Sequence, residues 1–201
     1  MSYCRWIFFD IGSTLVDESD CYEARYKETT AETEISYQEF KNKVIEIAAT
    51  SDNPYNDAVN FFGLKKTKWH TELEKLYPFT ESILAELSEK YKLGIIANQS
   101  AGSEKRLADW GIGKFFDLVI TSAEEGVEKP NLEIFSIALD RAECEPCNAV
   151  MVGDRLDNDI IPAKKIGMKT IWVKQSFAER QPDSDIPDYI INSLEDINNI
   201  L

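Results

Sequence analysis

The chain has a single histidine, His70, and only 4 cysteines in 201 residues. So few cysteines cannot staple a disulfide scaffold, and a lone imidazole has no companion for a histidine-based metal site. Cys4 and Cys21 stand alone near the N-terminus, and Cys144-Glu-Pro-Cys147, despite its C-x-x-C spacing, has no second pair of ligands nearby in sequence. It reads as a helix-to-strand turn. Positive charge is also scarce, with 22 Lys plus Arg against 36 Asp plus Glu and a formal charge of -14, the wrong sign for gripping nucleic-acid phosphates or anionic lipid. No stretch approaches the roughly 18 apolar residues of a membrane helix. The apolar start Trp6-Ile-Phe-Phe9 is stopped by Asp10 before a signal-peptide core could form. The expected address is therefore the cytoplasm, with no nucleic-acid and no membrane partner. Repeats and low-complexity tracts are absent, and 43% hydrophobic with 29% charged residues lies far from disordered or collagen-like composition.

What is present changes period along the chain. Arg5 to Phe9 reads as a buried strand running into the polar turn Asp10-Ile-Gly-Ser-Thr14. From about Asp20 to Leu76 only helical spacing is found: Tyr22 and Tyr26; Tyr37, Phe40, Val44 and Ile47; Val59 and Phe62; Trp69, Leu73 and Leu76. These predict about four helices, broken at Asp52-Asn-Pro54 and closed by Tyr77-Pro78. Beyond them, helices predicted at 81–91, 104–110, 132–139 and 160–166 alternate with strands at 93–97, 118–121, 149–152 and 170–173. A strand at 189–191 and a helix capped by Ser193 finish the chain, and Pro182 to Pro187 reads as an exposed loop. The alternation predicts an α/β fold, a Rossmann-like parallel sheet core with helices on both faces, plus a small all-helical insertion after the first strand. The expected boundaries are 1–17 and 78–201 for the core and 18–77 for the insertion.

Ligands of such sheets collect at the C-terminal strand ends, which here deliver Asp10, then Asn98, then the loop from Thr121 to Lys129, then Gly153-Asp154. Carboxylates from two strands meeting at one rim repel unless a cation lies between them, so a hard divalent ion is expected there. Lys129 adds a charge suited to an anionic substrate. Singly, an Asp after a strand is often a turn residue and a Lys before Pro a solvated charge. Four in order outweigh those readings.

Phe8-Phe-Asp10-Ile-Gly12-Ser-Thr14-Leu15, Ile96-Ala97-Asn98, Gly126-Val-Glu-Lys129-Pro130 and Val152-Gly-Asp154-Arg-Leu-Asp-Asn-Asp159 resemble, in order, the four motifs of the haloacid dehalogenase-like hydrolase superfamily. The helical stretch occupies the position of that family's cap. The resemblance implies that Asp10 attacks a phosphoryl group to give an aspartyl phosphate. It implies that Asp10, Asp154 and the Gly12 carbonyl hold Mg2+, and that Lys129 neutralises Asp10 and the phosphoryl oxygens. Asp159 is expected to act from behind the metal ligands; a first-turn helix acid is an equal alternative. Thr14 is expected to fix the turn near the substrate.

Two departures qualify this. The family's phosphatases usually carry a second Asp two residues after the nucleophile as general acid and base; here that residue is Gly12. Ala97 stands where a Ser or Thr usually touches the phosphoryl oxygen, leaving Asn98 or Ser100 as substitutes. The expected function is a Mg2+-dependent phosphohydrolase of reduced activity on a small phosphorylated molecule. The alternatives are a non-catalytic descendant that binds a phospho-ligand or a protein and, less favoured, a 2-haloacid dehalogenase with Arg25 as carboxylate anchor. Nothing in the sequence fixes an oligomeric state or the substrate. Trp69-His70 reads as a packed aromatic beside an exposed imidazole, Lys65-Lys-Thr-Lys68 as a solvated face, and the tyrosines with Phe61-Phe62 as core.

Overall fold

The computed structural model describes residues 5–48, 51, 53–175 and 184–201. Cys4, Asp52 and Pro182-Asp183 lie outside the described residues. The chain divides into two compact units, Met1–Val16 with Leu76–Leu201, and Asp17–Lys75. Two short strands, β2 (Val16–Asp17) and β3 (Lys75–Leu76), pair where the chain passes between the units.

The larger unit is built on a six-stranded sheet of β1 (Trp6–Phe9), β4 (Lys92–Ala97), β5 (Leu118–Thr121), β6 (Ala149–Gly153), β7 (Lys169–Val173) and β8 (Tyr189–Ile191). Its order is β5-β4-β1-β6-β7-β8 and every pairing is parallel. Continuous apolar strands require cover on both faces, and alternate residues supply two separate cores. Ile7, Phe9, Leu93, Ile95, Val150 and Val152 meet Ile83, Leu84 and Leu87 of α4 (Thr80–Ser88). Phe8, Ile96, Ile120 and Met151 meet Ile134, Phe135 and Ala138 of α7 (Leu132–Arg141) and Ala163 of α8 (Ile161–Lys165). Each fully buried Val, Leu, Ile, Phe or Met among them contributes about 1.5–3 kcal/mol.

The predicted strands are present with ends shifted by one residue or less. α5 runs Ser103–Asp109, and an unpredicted short helix, α6 (Ser122–Glu125), follows β5 directly and ends on left-handed Gly126. The helix predicted over 160–166 is α8, Ile161–Lys165, and a wide π turn, Leu156–Ile160, leads into it. The terminal helix is a 3-10 turn, Leu194–Asn199, with Ser193 accepting from the Glu195 N–H as the expected cap.

The smaller unit holds α1 (Ser19–Thr30), α2 (Tyr37–Ile47) and α3 (Pro54–Phe62). Ser36 accepts from Glu39 N at the start of α2, Pro54 opens α3, and left-handed Gly63 closes it, the usual division of labour between helix starts and ends. Tyr26, Phe40 and Tyr55 form its centre, with ring centroids 5.5 and 6.0 Å apart for the Tyr26–Phe40 and Phe40–Tyr55 pairs. The fourth predicted helix is absent: Thr71–Leu73 is a 3-10 turn leading into β3. There the Trp69 indole donates to Glu74 and the Cys21 thiol to the His70 carbonyl, so the segment is held by contacts that interrupt a helical ladder. Phe61, expected in the core, is 64% exposed beneath the Lys43 ammonium. Lys65, Lys66 and Lys68 are exposed as expected. No helix among the described residues is long and apolar enough to cross a membrane.

His70 is buried rather than exposed. Its ring nitrogens face Glu28 of α1 and Glu72, each at 2.9 Å. Glu72 first and Glu28 second raise its pKa against a smaller opposing effect of burial. A folded-state pKa above the unfolded one gives stability that is complete below about pH 6.5 and is lost as pH rises through the folded value. We expect thermal melts of the wild type to lose more stability between pH 6 and pH 9 than melts of His70→Gln. Equal losses would show that the charged imidazole contributes nothing.

Candidate functional site

The central strand β1 lies between β4 and β6, so strand order reverses on either side of it, the place where open α/β sheets form their crevice. Asp10 follows β1 directly, anchored by its N–H to the Val152 carbonyl at 2.9 Å. Asn98 follows β4 and Asp154 follows β6. Topology thus delivers the residues of three adjacent strand ends to one edge.

The turn after Asp10 is tight, with Leu15 N–H donating to Ile11 O and a bridge between Gly12 and Val16. Its left-handed residue is Ser13, at φ 55, rather than Gly12. Gln175, buried beyond β7, donates from its amide nitrogen to both Ser13 O and Thr14 O, at 3.0 and 2.9 Å. That pair of bonds holds a backbone conformation a non-glycine residue rarely adopts.

Lys129 is 2% exposed, and its ammonium donates to Asp10 Oδ1 at 2.7 Å and Asp159 Oδ1 at 2.6 Å. Burial disfavours its charge, but Asp10 and Asp159 outweigh that and hold its pKa above the ordinary lysine value. Asp159, in the π turn, is pushed up to about 6, first by burial and then by Asp10, against Lys129 and the Arg155 N–H. It fits only because Gly153 lacks a side chain: a Cβ there would lie 2.5 Å from the Asp159 carboxyl. The Trp172 indole donates to the Asp154 carbonyl at 2.7 Å. Carboxylate oxygens of Asp10, Asp154 and Asp159 come within 4.8 Å of one another. Three carboxylates against one ammonium leave an excess of negative charge, and their all-oxygen donor set suits a hard cation. Asp159 already gives one oxygen to Lys129 and the other to Arg155 N–H. Both oxygens of Asp159 are thus engaged within the protein, where they steady Lys129 and close the turn from Arg155.

The other expected residues fall differently. Asn98 spends its carboxamide on the Lys129 main chain, donating to Lys129 O at 2.9 Å and accepting from Lys129 N at 2.7 Å. Ser100 is exposed and accepts at its carbonyl from the Ser103 hydroxyl. Thr14 is fully buried, and its hydroxyl has no hydrogen-bond partner among the described residues. Ala97 is buried beside Thr121 of β5. Arg25 stacks 3.6 Å over the Tyr55 ring and donates to Thr67 O, an internal role within the smaller unit. Cys144 precedes the 3-10 turn before β6 and Cys147 lies within it, both as free thiols, with burial raising the Cys144 pKa. Gln175, Ser122 and Trp172 were missed by sequence reasoning. Gln175 lies two residues past an apolar strand, so the strand-end rule that marked Asp10 could have flagged it.

A family model described as haloacid dehalogenase-like hydrolase matches residues 7–173. The glyceraldehyde 3-phosphate phosphatase of Methanocaldococcus jannaschii is 32% identical over 222 residues, covering 98% of this chain and 96% of the relative. That of Methanothermobacter thermautotrophicus is 32% identical over 202 residues, covering 88% of each. Among solved structures, a HAD phosphatase from Thermococcus onnurineus superposes with a TM-score of 0.70 at 25% identity, covering 98% of this chain and 97% of that one. With the ordered strand-end residues and a match over most of its length, the chain belongs to the haloacid dehalogenase-like hydrolase family.

Proposed function

We propose that this chain is a Mg2+-dependent phosphohydrolase of small phosphorylated molecules, with Asp10 as nucleophile. The observation that carries the reading is the buried Lys129 ammonium 2.7 Å from Asp10, at the end of the central strand. Phosphatase relatives of similar length support the same reaction class.

A free Asp10 oxygen attacks phosphorus; the Oδ–P bond forms and the ester bond breaks, its electrons leaving with the alcohol oxygen. Water then attacks the aspartyl phosphate, the P–Oδ bond breaks to restore the Asp10 carboxylate, and phosphate departs, the proton lost by water passing to solvent and the alcohol oxygen taking one from solvent. Lys129 fixes the Asp10 carboxylate and offsets charge on the transferring oxygens. Asp10, Asp154 and the Gly12 carbonyl would hold Mg2+, which when bound supplies further charge neutralisation at the phosphoryl oxygens. Asp159 steadies Lys129, and Thr14 shapes the turn. Asn98, which lay in the substrate-binding role by resemblance, touches the Lys129 peptide.

Gly12 offers no side chain to protonate a leaving alkoxide, a contribution of roughly 10² to 10⁴ in rate. Acyl and aryl phosphates, whose leaving groups need no proton, are the better substrates on this reading. We expect acetyl phosphate and p-nitrophenyl phosphate to be turned over faster than glyceraldehyde 3-phosphate; equal or faster turnover of the alkyl ester would contradict the reading. Gly12→Asp should raise alkyl phosphate turnover by about 10²-fold or more, since position 12 is not the left-handed residue of the turn. An unchanged rate would count against it.

Turnover should vanish in Asp10→Asn and with chelator. Calorimetry should register Mg2+ binding to the wild type and none to Asp154→Asn. Activity that survives chelation would refute the metal assignment, and Mg2+ binding without turnover of any phosphate would favour a non-catalytic phospho-ligand binder.

A further inference from the structure

Asn98 and Lys129 are 31 positions apart in sequence, yet the Asn98 carboxamide captures both polar groups of the Lys129 main chain, as donor at 2.9 Å and acceptor at 2.7 Å. Two opposed bonds to one residue fix its rotation as well as its position, which a single bond cannot do. The next residue is held in the same manner: Gln99 N–H donates to the Ser122 hydroxyl at 3.1 Å, and that hydroxyl donates to Gln99 O at 3.2 Å. The loop after β4 is thus tied to the start of α6 at one residue and to the lysine loop at its neighbour. Beyond Lys129, the same line of contacts ends on Asp10 and Asp159.

We propose that Asn98 is a positioning residue, whose carboxamide sets the main chain of Lys129 and so aims its ammonium at Asp10, and is not a substrate ligand. The role rests on the phosphohydrolase reading for its kinetic consequence. A lysine side chain has four rotatable bonds, and an ammonium displaced by about 1 Å from the reacting group costs about 10²-fold in rate. The burial of Lys129 gives it no solvent to fall back on. One amide hydrogen of Asn98 is left over from the clamp, so its use by substrate is the alternative to be distinguished.

The test uses the full chain with Asn98→Ala and Asn98→Asp. Asn98→Asp keeps the acceptor for Lys129 N–H but sets a carboxylate against Lys129 O. The first readout needs no activity: labelling of lysines by trinitrobenzenesulfonate, followed by peptide mapping. Lys129 should be protected in the wild type and labelled about tenfold faster or more in both variants, as local opening exposes it. The second uses p-nitrophenyl phosphate. Positioning lowers kcat about 10²-fold while KM and inhibition by inorganic phosphate stay within about threefold.

A substrate ligand would instead raise KM and weaken phosphate inhibition about tenfold, with Lys129 still protected; that result overturns the proposal. Ser122→Ala, which leaves Asn98 intact, should give a smaller change in the same direction. If Asn98→Ala does not fold, unchanged protection of Lys129 in Asn98→Asp is by itself enough to overturn it. Absence of turnover by the wild type would remove the phosphohydrolase reading, and the labelling result would still decide the positioning role.

Discussion

A single buried ammonium bridging two carboxylates governs this site. Asp10 and Asp159 would repel each other in a region nearly closed to water, and Lys129 between them makes both charges tolerable. Lys129 and Asp159 are both buried, so removing the lysine would leave Asp159 uncompensated, a loss of about 3–5 kcal/mol for a broken buried pair. The arrangement is mutual: Asp159 fits only over Gly153, the last residue of β6, and β6 pairs with β1, whose end carries Asp10. An electrostatic requirement is thereby linked to strand order.

The surrounding polar contacts share one style. Asn98 ties the Lys129 peptide, Ser122 the Gln99 peptide, Gln175 two carbonyls of the turn after Asp10, and Trp172 the Asp154 carbonyl. Loops at strand ends expose main-chain groups that no ladder satisfies, and a buried one left unpaired is expensive. Side chains from neighbouring loops satisfy them here. The same bonds also fix the backbone around Asp10, Lys129 and Asp154 on otherwise irregular loops.

Much of the core was legible before its structure was known. Buried parallel strands are written as unbroken apolar runs, so Trp6 to Phe9, Leu93 to Ala97 and Ala149 to Val152 stand out, and the polar residues after them, Asp10, Asn98 and Asp154, mark one edge of the sheet. The smaller unit was read less well. Trp69, Leu73 and Leu76 have helical spacing, but the segment forms a 3-10 turn and a short strand, with the Trp69 indole bonded to Glu74 within it and His70 held by Cys21 and Glu28 of α1. His70 looked like a solvent-facing residue because neither Glu28 nor Glu72 advertises itself as its partner. Asn98 was recognised as a site residue, but its partner, 31 positions away, was not.

The order of apolar runs and of the polar residues that end them was enough to determine the α/β class and to bring Asp10 and Asp154 to one edge of the sheet. Those are local properties: a strand's burial and the residue that ends it are written in consecutive positions. Tertiary structure alone decided which charge meets which, that Asp159 turns inward onto Lys129, and that Asn98 and Gln175 brace backbone. Hydrogen-bond partners across tens of residues depend on loop paths and side-chain directions, which only the assembled sheet sets.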